Sequence, residues 1–103
     1  MNLIELNLHN IIELCKKYRV KSLSVFGSIL TDRFNEKSDV DLLVNFEPFD
    51  PDSLEFDYLT NYLDLADSLE RVLGRKVDLV VESGLRNKYF IANVNRNRKQ
   101  IYG

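Results

Sequence analysis

The sequence predicts an α+β domain in which a small mixed sheet of about three to four strands is flanked by helices. Two segments, Val40–Phe46 and Val77–Val81, are short and mostly apolar, as buried strands are. The longest helical stripe of the chain lies between them, and shorter helical patterns precede and follow them. Because strands alternate with helices in this order, the helices are expected to pack against one sheet.

The first predicted element is a helix over residues 6–18, where apolar side chains recur at helical spacing. A short strand follows over residues 22–26 and ends at Gly27. Residues 28–34 are predicted as a short helix or turn, because they connect this strand to the next apolar run. The chain therefore begins as helix, strand and short helix.

The second strand, Val40–Phe46, is mostly apolar, which predicts burial on both faces. Residues 47–52 contain Pro48 and Pro51 and are predicted as a loop. The loop leads into the strongest helical stripe, which ends before Gly74, where a helix C-terminal glycine commonly stands. The members of that stripe are Leu59, Tyr62, Leu63, Ala66, Leu69, Val72 and Leu73.

Val77–Val81 is the third predicted strand, and we expect it to be buried. The dipeptide Ser83-Gly84 ends it. A last helix follows, with an apolar face that consists of Tyr89, Phe90, Val94 and, at its end, Ile101.

Composition indicates a soluble globular protein of one domain, residues 1–103, with 45% apolar and 29% charged residues. No apolar run approaches the roughly 20 residues that span a bilayer, so we expect no membrane partner. No signal-peptide pattern is present at the amino terminus. The single Cys15 cannot form an internal disulfide, which favours a cytoplasmic location.

Charge is segregated along the chain. Residues 32–70 carry twelve acids and two bases, whereas the residues after Glu82 carry five bases and no acid. The acidic centre repels phosphates, so we expect no direct nucleic-acid partner. The basic segment either faces an anion, a nucleotide or an acidic partner, or merely solvates the last helix, and by itself the second interpretation is favoured.

Asp39 and Asp41 stand where the second strand begins. Alternate strand residues point to one face, so two ionised carboxylates on the order of 6 Å apart repel by about 3 kcal/mol at an effective dielectric of about 20. This repulsion favours a counter-ion, and carboxylate oxygens suit Mg²⁺ or Mn²⁺. An isolated Asp-x-Asp pair is more often a turn residue and a solvated acid. Here Leu42-Leu43-Val44 continues into the core, which favours the metal interpretation.

Asp78 lies inside the third strand. A carboxylate within a buried strand is costly unless it is paired or binds a metal. If the second and third strands are neighbours, Asp78 can join Asp39 and Asp41 on one face. The alternatives are an ion pair with Arg75 or Lys76, or exposure on a strand edge, and the upstream Asp pair favours the metal interpretation.

Gly27 and Ser28 follow the first strand. A glycine there lets the backbone approach a ligand closely, and the amides that open the next helix bind phosphate. The Ser28 hydroxyl adds a donor. The alternative is a plain strand-to-helix turn with Ser28 as N-cap, and the spacing to Asp39 and Asp41 is what favours the phosphate interpretation.

Three sequence elements carry a resemblance to a known family. They are, in order, Gly27-Ser28, Asp39-Val40-Asp41 and Asp78. Together they resemble the DNA polymerase beta nucleotidyltransferase superfamily, and the resemblance covers essentially the whole chain. The small size and the ending Ile101-Tyr102-Gly103 resemble its minimal members, called MNT.

The resemblance implies a nucleotidyltransferase fold, ATP as substrate and a site for two Mg²⁺ ions. Asp39 and Asp41 would bridge the two ions, and Asp78 would hold the catalytic ion and help to activate the attacking oxygen. Gly27 and Ser28 would bind the triphosphate.

One position departs from the family pattern. Many relatives have an arginine three residues after the motif serine, where this chain has Thr31. Arg33, two positions later, is the candidate to contact phosphate instead.

The resemblance also implies a role. MNT proteins are commonly antitoxins of HEPN-domain ribonuclease toxins, and relatives transfer AMP from ATP to a tyrosine of the toxin. The chain is therefore expected to be a Mg²⁺-dependent protein adenylyltransferase that acts as an antitoxin. One alternative is a binding module with a vestigial site that neutralises the toxin by complex formation. Transfer to a small molecule ranks last, because such enzymes usually need a second domain to bind the acceptor.

Overall fold

The protein, seen here as a computed structural model, is described over residues 2–53 and 57–103. The helices are α1 (Asn2–Leu6), α2 (Leu8–Lys17), α3 (Tyr58–Leu73) and α4 (Lys88–Asn97), and the strands are β1 (Val20–Phe26), β2 (Val40–Phe46), β3 (Val77–Val81) and β4 (Lys99–Tyr102). Single 3-10 turns, Gly27–Leu30 and Glu82–Gly84, follow β1 and β3. The predicted bounds of β2 and β3 are confirmed, and β1 starts earlier than predicted.

One mixed sheet organises these elements, with the strand order β3-β2-β1-β4. β1 pairs antiparallel with β2 and with β4, whereas β2 pairs parallel with β3. A parallel pair needs a crossover connection, and α3 lies within it. The prediction of an α+β fold with a small mixed sheet is confirmed.

The two faces of the sheet are covered unequally. One face packs against α2 and α3 and holds the larger core cluster, which includes the fully buried Leu42 and Leu65. On the other face, Phe26, Leu43 and Val94 form a small cluster beneath α4. Because β2 contributes to both clusters, its predicted burial on two faces is confirmed. The thinner cover on the α4 face leaves room for a groove.

Capping residues fix both ends of α3. The Asp57 carboxylate accepts hydrogen bonds from the backbone N–H groups of Leu59 at 3.1 Å and Thr60 at 3.4 Å. Gly74 follows the helix with φ of +64°, the left-handed conformation that glycine adopts without strain. The predicted helix end at Gly74 is confirmed.

The predicted buried face of α3 is partly wrong. Leu59 and Leu63 are 62% and 53% exposed, and Leu65, which the predicted stripe omits, is fully buried. The helix carries leucines on more than one side, so periodicity identifies it as a helix without showing which side meets the sheet.

The first and last predicted helices also differ from the structure. Asn7 separates α1 from α2, and its side-chain amide donates to the carbonyl oxygen of Leu3 at 2.8 Å, which is local bonding of the kind that interrupts a helix. Ile101 belongs to β4, which pairs with β1, rather than to the last helix. Tyr89 is 89% exposed and so does not line the packed face of α4.

The third strand is less buried than predicted. β3 lies at the edge of the sheet, and Leu79 is its only buried residue. Asp78 is exposed on this edge strand, so the expectation that its carboxylate is buried is wrong. Strand order, which the sequence pattern does not reveal, causes this difference.

Cys15 lies in the larger core cluster and is fully buried. Burial raises the pKa of its thiol to about 12, so the thiolate is scarcely populated at neutral pH. Within the described part of the chain, no helix is long and apolar enough to cross a bilayer.

A polar network fastens α4 and β4 to the sheet. Arg98, which follows α4, forms an ion pair with Glu82 and donates from Nη2 to Ser24 Oγ at 2.9 Å. The amide of Asn45 donates to Glu82 Oε1 at 2.8 Å and to Ser22 Oγ at 3.2 Å. The hydrogen bond from Arg98 holds the pKa of Glu82 below its ordinary value.

We expect Arg98→Met to lower the free energy of unfolding by about 2 kcal/mol, because Glu82 loses its cation and the buried Ser24 hydroxyl loses a partner. Urea unfolding measures the change. The lowered pKa of Glu82 means that this stabilisation is present above pH 4.5, the ordinary value, and is lost as pH falls through the folded-state pKa. The difference between wild type and variant should therefore shrink in acid.

Arg71→Met is the matched control. Its ion pair with Asp67 at 2.6 Å is largely exposed, so its loss should cost less than about 0.5 kcal/mol. Equal costs for the two variants, or a cost of Arg98→Met that does not change in acid, would contradict the assigned role of the network.

Candidate active site

The C-terminal end of β1 lies beside the N-terminal ends of β2 and β3, at one end of the strands. Phe26 is the sheet partner of Asp41, and Asp41 is in turn the partner of Asp78. Partners on neighbouring strands point to the same face, so these three side chains form a row on the α4 face. The structure therefore brings together two of the predicted metal ligands, and Asp39 comes just before β2, two residues from Asp41.

The carboxylates of this row act on one another. Burial raises the pKa of Asp41, and the negative charges of Asp78 and then Asp39 raise it further. Among residues 2–53 and 57–103, no three His, Cys, Asp or Glu side chains converge tightly enough to hold a metal ion as they stand. Asp39 and Asp78 are exposed, so both side chains can reorient without disturbing the core. A half-buried carboxylate that is repelled by two neighbouring carboxylates fits a divalent cation as counter-ion.

Gly27 fits directly against Asp41. Its φ is +76°, and a Cβ atom added at this position would lie 2.2 Å from Asp41 Oδ2. Glycine is therefore required here both by the backbone conformation and by the close approach of the carboxylate. This contact joins the Gly-Ser turn to the Asp-x-Asp pair, which are separate motifs in the sequence.

A groove of about 680 Å³ lies between the turn Gly27–Leu30 and α4. Gly27, Ser28 and Arg33, the three residues predicted to contact a nucleotide, all line it. The predicted carboxylates are not among its lining residues, but Asp41 borders it through Gly27. The volume is typical of a small-molecule site.

Thr31 shapes the turn that precedes Arg33. Its hydroxyl donates to the carbonyl oxygen of Ser28 at 2.8 Å and accepts from the backbone N–H of Arg33 at 3.2 Å. Thr31 thus makes local contacts, and the exposed Arg33 side chain borders the groove. Arg33 therefore lines the groove two residues after Thr31.

Arg75 holds the loop that leads to Asp39, a role that sequence reasoning missed. Its guanidinium lies 4.6 Å from the centre of the Phe34 ring and donates to the carbonyl oxygens of Asn35 and Ser38. The ion pair between Arg75 and Asp78 considered above does not form. No local pattern marks an arginine that bonds to a loop about 40 residues away.

Comparison with known proteins gives a family match over most of the chain. A family model described as "Nucleotidyltransferase domain" matches residues 10–101. A protein of Methanocaldococcus jannaschii, provisionally named a protein adenylyltransferase, is 39% identical over 82 residues, which are 80% of this chain and 76% of the relative. Protein adenylyltransferase MntA of Thermococcus cleftensis is 39% identical over 75 residues, 73% of this chain and 69% of its own length.

Solved structures share the fold. One, described provisionally as a minimal nucleotidyltransferase, superposes with a TM-score of 0.72 at 31% identity and covers 93% of this chain and 90% of its own. A toxin–antitoxin complex with AMP-PNP gives a TM-score of 0.69 at 24% identity, covering 94% and 73%. An AMPylated HEPN toxin of Shewanella oneidensis in complex with its MNT antitoxin gives 0.63 at 24%, covering 96% and 71%. At 24% identity the likeness establishes the fold alone.

Proposed function

The chain belongs to the nucleotidyltransferase domain family, and from that membership we propose that it is an antitoxin which transfers AMP from ATP to a tyrosine of a cognate HEPN toxin. Residues 1–103 act as one nucleotidyltransferase domain in this proposal. The names of the relatives support protein adenylylation as the activity. A solved structure of the same fold is an MNT antitoxin in complex with an AMPylated HEPN toxin, which supports a HEPN toxin as the partner.

One structural observation carries the proposal. Asp41 and Asp78 are sheet partners on one face, and the Asp41 carboxylate packs against Gly27 at the mouth of a groove that Ser28 and Arg33 also line. An acidic cluster beside an anion-binding turn is what a reaction at a nucleotide phosphate requires.

Asp39, Asp41 and Asp78 are the residues that we assign to Mg²⁺. Burial raises the pKa of Asp41, and the negative charges of Asp78 and Asp39 raise it further, which is the observation that fits these residues to such a cation. When bound, Mg²⁺ would supply charge stabilisation for the attacking and leaving oxygens.

The remaining roles fall to the chain's own groups. The amides and hydroxyl of the Gly27-Ser28 turn, with Arg33, hold the triphosphate. The tyrosine oxygen of the toxin forms a bond to the α-phosphorus, the bond from that phosphorus to the α,β-bridging oxygen breaks, and pyrophosphate leaves. Asp78, exposed beside Asp41, accepts the proton of the attacking hydroxyl. The proposed location is the cytoplasm, since the sole thiol is buried and unpaired.

Turnover tests the proposal. The protein, at a small fraction of the toxin's molar concentration, is incubated with ATP, Mg²⁺ and the cognate HEPN toxin, and intact-mass spectrometry counts AMP groups on the toxin. We expect nearly all toxin molecules to be labelled and their ribonuclease activity to be lost. Replacing ATP by α,β-methylene-ATP, which cannot release AMP, should prevent both changes.

The result also separates catalysis from simple neutralisation. If toxin is inhibited only at equal molar amounts, and equally well with α,β-methylene-ATP, the chain is a binding module. Label on a small molecule rather than on the toxin would likewise contradict the proposed acceptor.

A further inference from the structure

The groove contains cations that the functional assignment has not used. Arg96 and Lys99 line it together with Arg33, and no acidic side chain is among its lining residues. Among the described residues, none of these three cations has an acidic partner within 4.0 Å. Three basic residues that have no acidic partner among the described residues therefore line one concave space, and such a space attracts a multiply charged anion.

The five bases that follow Glu82 separate into three groups in the structure. Arg98 is paired with Glu82 and fastens α4 to the sheet. Arg86 donates to nearby backbone carbonyls, and neither it nor Lys88 lines the groove. Only Arg96 and Lys99 do. The basic segment is thus not a uniform solvated surface.

The shape of the groove narrows the choice of anion. Its wall on α4 consists of Phe90, Asn93, Val94 and Asn97, whose spacing forms one helical face. Its opposite wall begins at Gly27 and Ser28, beside the acidic row. A space of about 680 Å³ suits a small molecule better than a protein surface or a nucleic-acid duplex.

We infer that Arg96 and Lys99 bind the polyphosphate of the nucleoside triphosphate, opposite the Gly27-Ser28 turn. This inference rests on the proposed function for the identity of the nucleotide. It adds two binding residues that are distant in sequence from the Gly-Ser and Asp-x-Asp motifs. The two side chains bind phosphate oxygens with charge-assisted hydrogen bonds and leave the adenosine to other parts of the groove.

Calorimetric titration of the full chain in Mg²⁺ tests the inference, with α,β-methylene-ATP, inorganic tripolyphosphate and AMP as probes. For Arg96→Gln combined with Lys99→Gln, we expect affinity for the first two probes to fall by about 10- to 100-fold, while affinity for AMP changes by less than about 3-fold. Arg96→Lys with Lys99→Arg, which keeps both charges, should recover most of the lost affinity.

Arg86→Gln combined with Lys88→Gln is the matched control, since it removes the same charge from the same segment outside the groove. Its affinities should stay within about 2-fold of wild type, and thermal unfolding should show that all variants are folded. Equal losses in both pairs would overturn the inference, because general electrostatics would then explain them. The inference would also be overturned if Arg96→Gln combined with Lys99→Gln bound α,β-methylene-ATP as tightly as wild type does. The same holds if this variant lost affinity for the toxin and kept its affinity for the nucleotide.

The same titrations keep this inference separate from the proposed function. If polyphosphate binding depends on Arg96 and Lys99 but wild type labels no toxin, the groove assignment stands and the transfer proposal fails. If wild type labels toxin, and Arg96→Gln combined with Lys99→Gln labels it equally well at limiting ATP, the transfer proposal stands and the groove assignment fails.

Discussion

Asp39→Asn combined with Asp41→Asn is expected to lower the rate of AMP transfer to the toxin by about 1,000-fold or more. The site loses two of its three carboxylates, and cation binding supplies several kcal/mol of transition-state stabilisation in such sites. Single-turnover labelling with saturating ATP and Mg²⁺ measures the rate. Transfer by this variant at the wild-type rate would show that the site assignment is wrong.

The same variant should be at least as stable as wild type without Mg²⁺. A carboxylate whose pKa is raised on folding destabilises the folded state when it is ionised, and Asp41 is such a group. The uncharged asparagine side chain at position 41 removes that cost at neutral pH. Added Mg²⁺ should raise the unfolding temperature of wild type and leave that of the variant unchanged.

The chain offers a matched control for this experiment. Asp50 and Asp52 form a second Asp-x-Asp pair, and both are exposed in the loop after β2. Asp50→Asn with Asp52→Asn removes the same charge and should leave transfer and the Mg²⁺-dependent stabilisation unchanged. A similar loss in this control would mean that net charge, rather than the site, governs the reaction.

Gly27→Ala is expected to reduce transfer by about 100-fold and to destabilise the fold by about 1–2 kcal/mol. The destabilisation comes from a side chain at φ of +76°, and the loss of transfer from displacement of the Asp41 carboxylate, which would lie 2.2 Å from the new Cβ atom. Urea unfolding and single-turnover labelling measure the two effects separately.

Two other glycines separate conformational strain from the clash. Gly74 has φ of +64° but no neighbour within 4 Å of an added Cβ atom, so Gly74→Ala should show the destabilisation without the loss of transfer. Gly84 has neither constraint, so Gly84→Ala should be nearly neutral. If Gly74→Ala impairs transfer as much as Gly27→Ala, contact with Asp41 is not the cause.

Much of the fold could be predicted because local patterns determine it. The bounds of β2 and β3 follow from apolar runs that end in turn residues, and the end of α3 follows from Gly74. The exposure of Asp78 depends on β3 being an edge strand, and strand order is a tertiary property. β4 is short, and half of its residues are polar, so it carries little strand signal.

The candidate site divides in the same way. Gly27, Ser28, Asp39 and Asp41 are close in sequence, so their spacing alone predicts that they belong to one site. Arg96 and Lys99 belong to a basic segment whose pattern suits a solvated helix, and only the packing of α4 across from the Gly27–Leu30 turn brings them to the groove. Arg75 acts across a similar distance in sequence.

The buried Cys15 has a practical consequence for measuring how this protein opens. Since it is the chain's single cysteine and its thiol pKa is about 12, an alkylating reagent reacts only after α2 separates from the sheet. The rate of alkylation therefore reports the population of opened molecules without any introduced probe. The alkylation rates measured with nucleotide alone and with toxin alone then show which of the two suppresses opening more strongly.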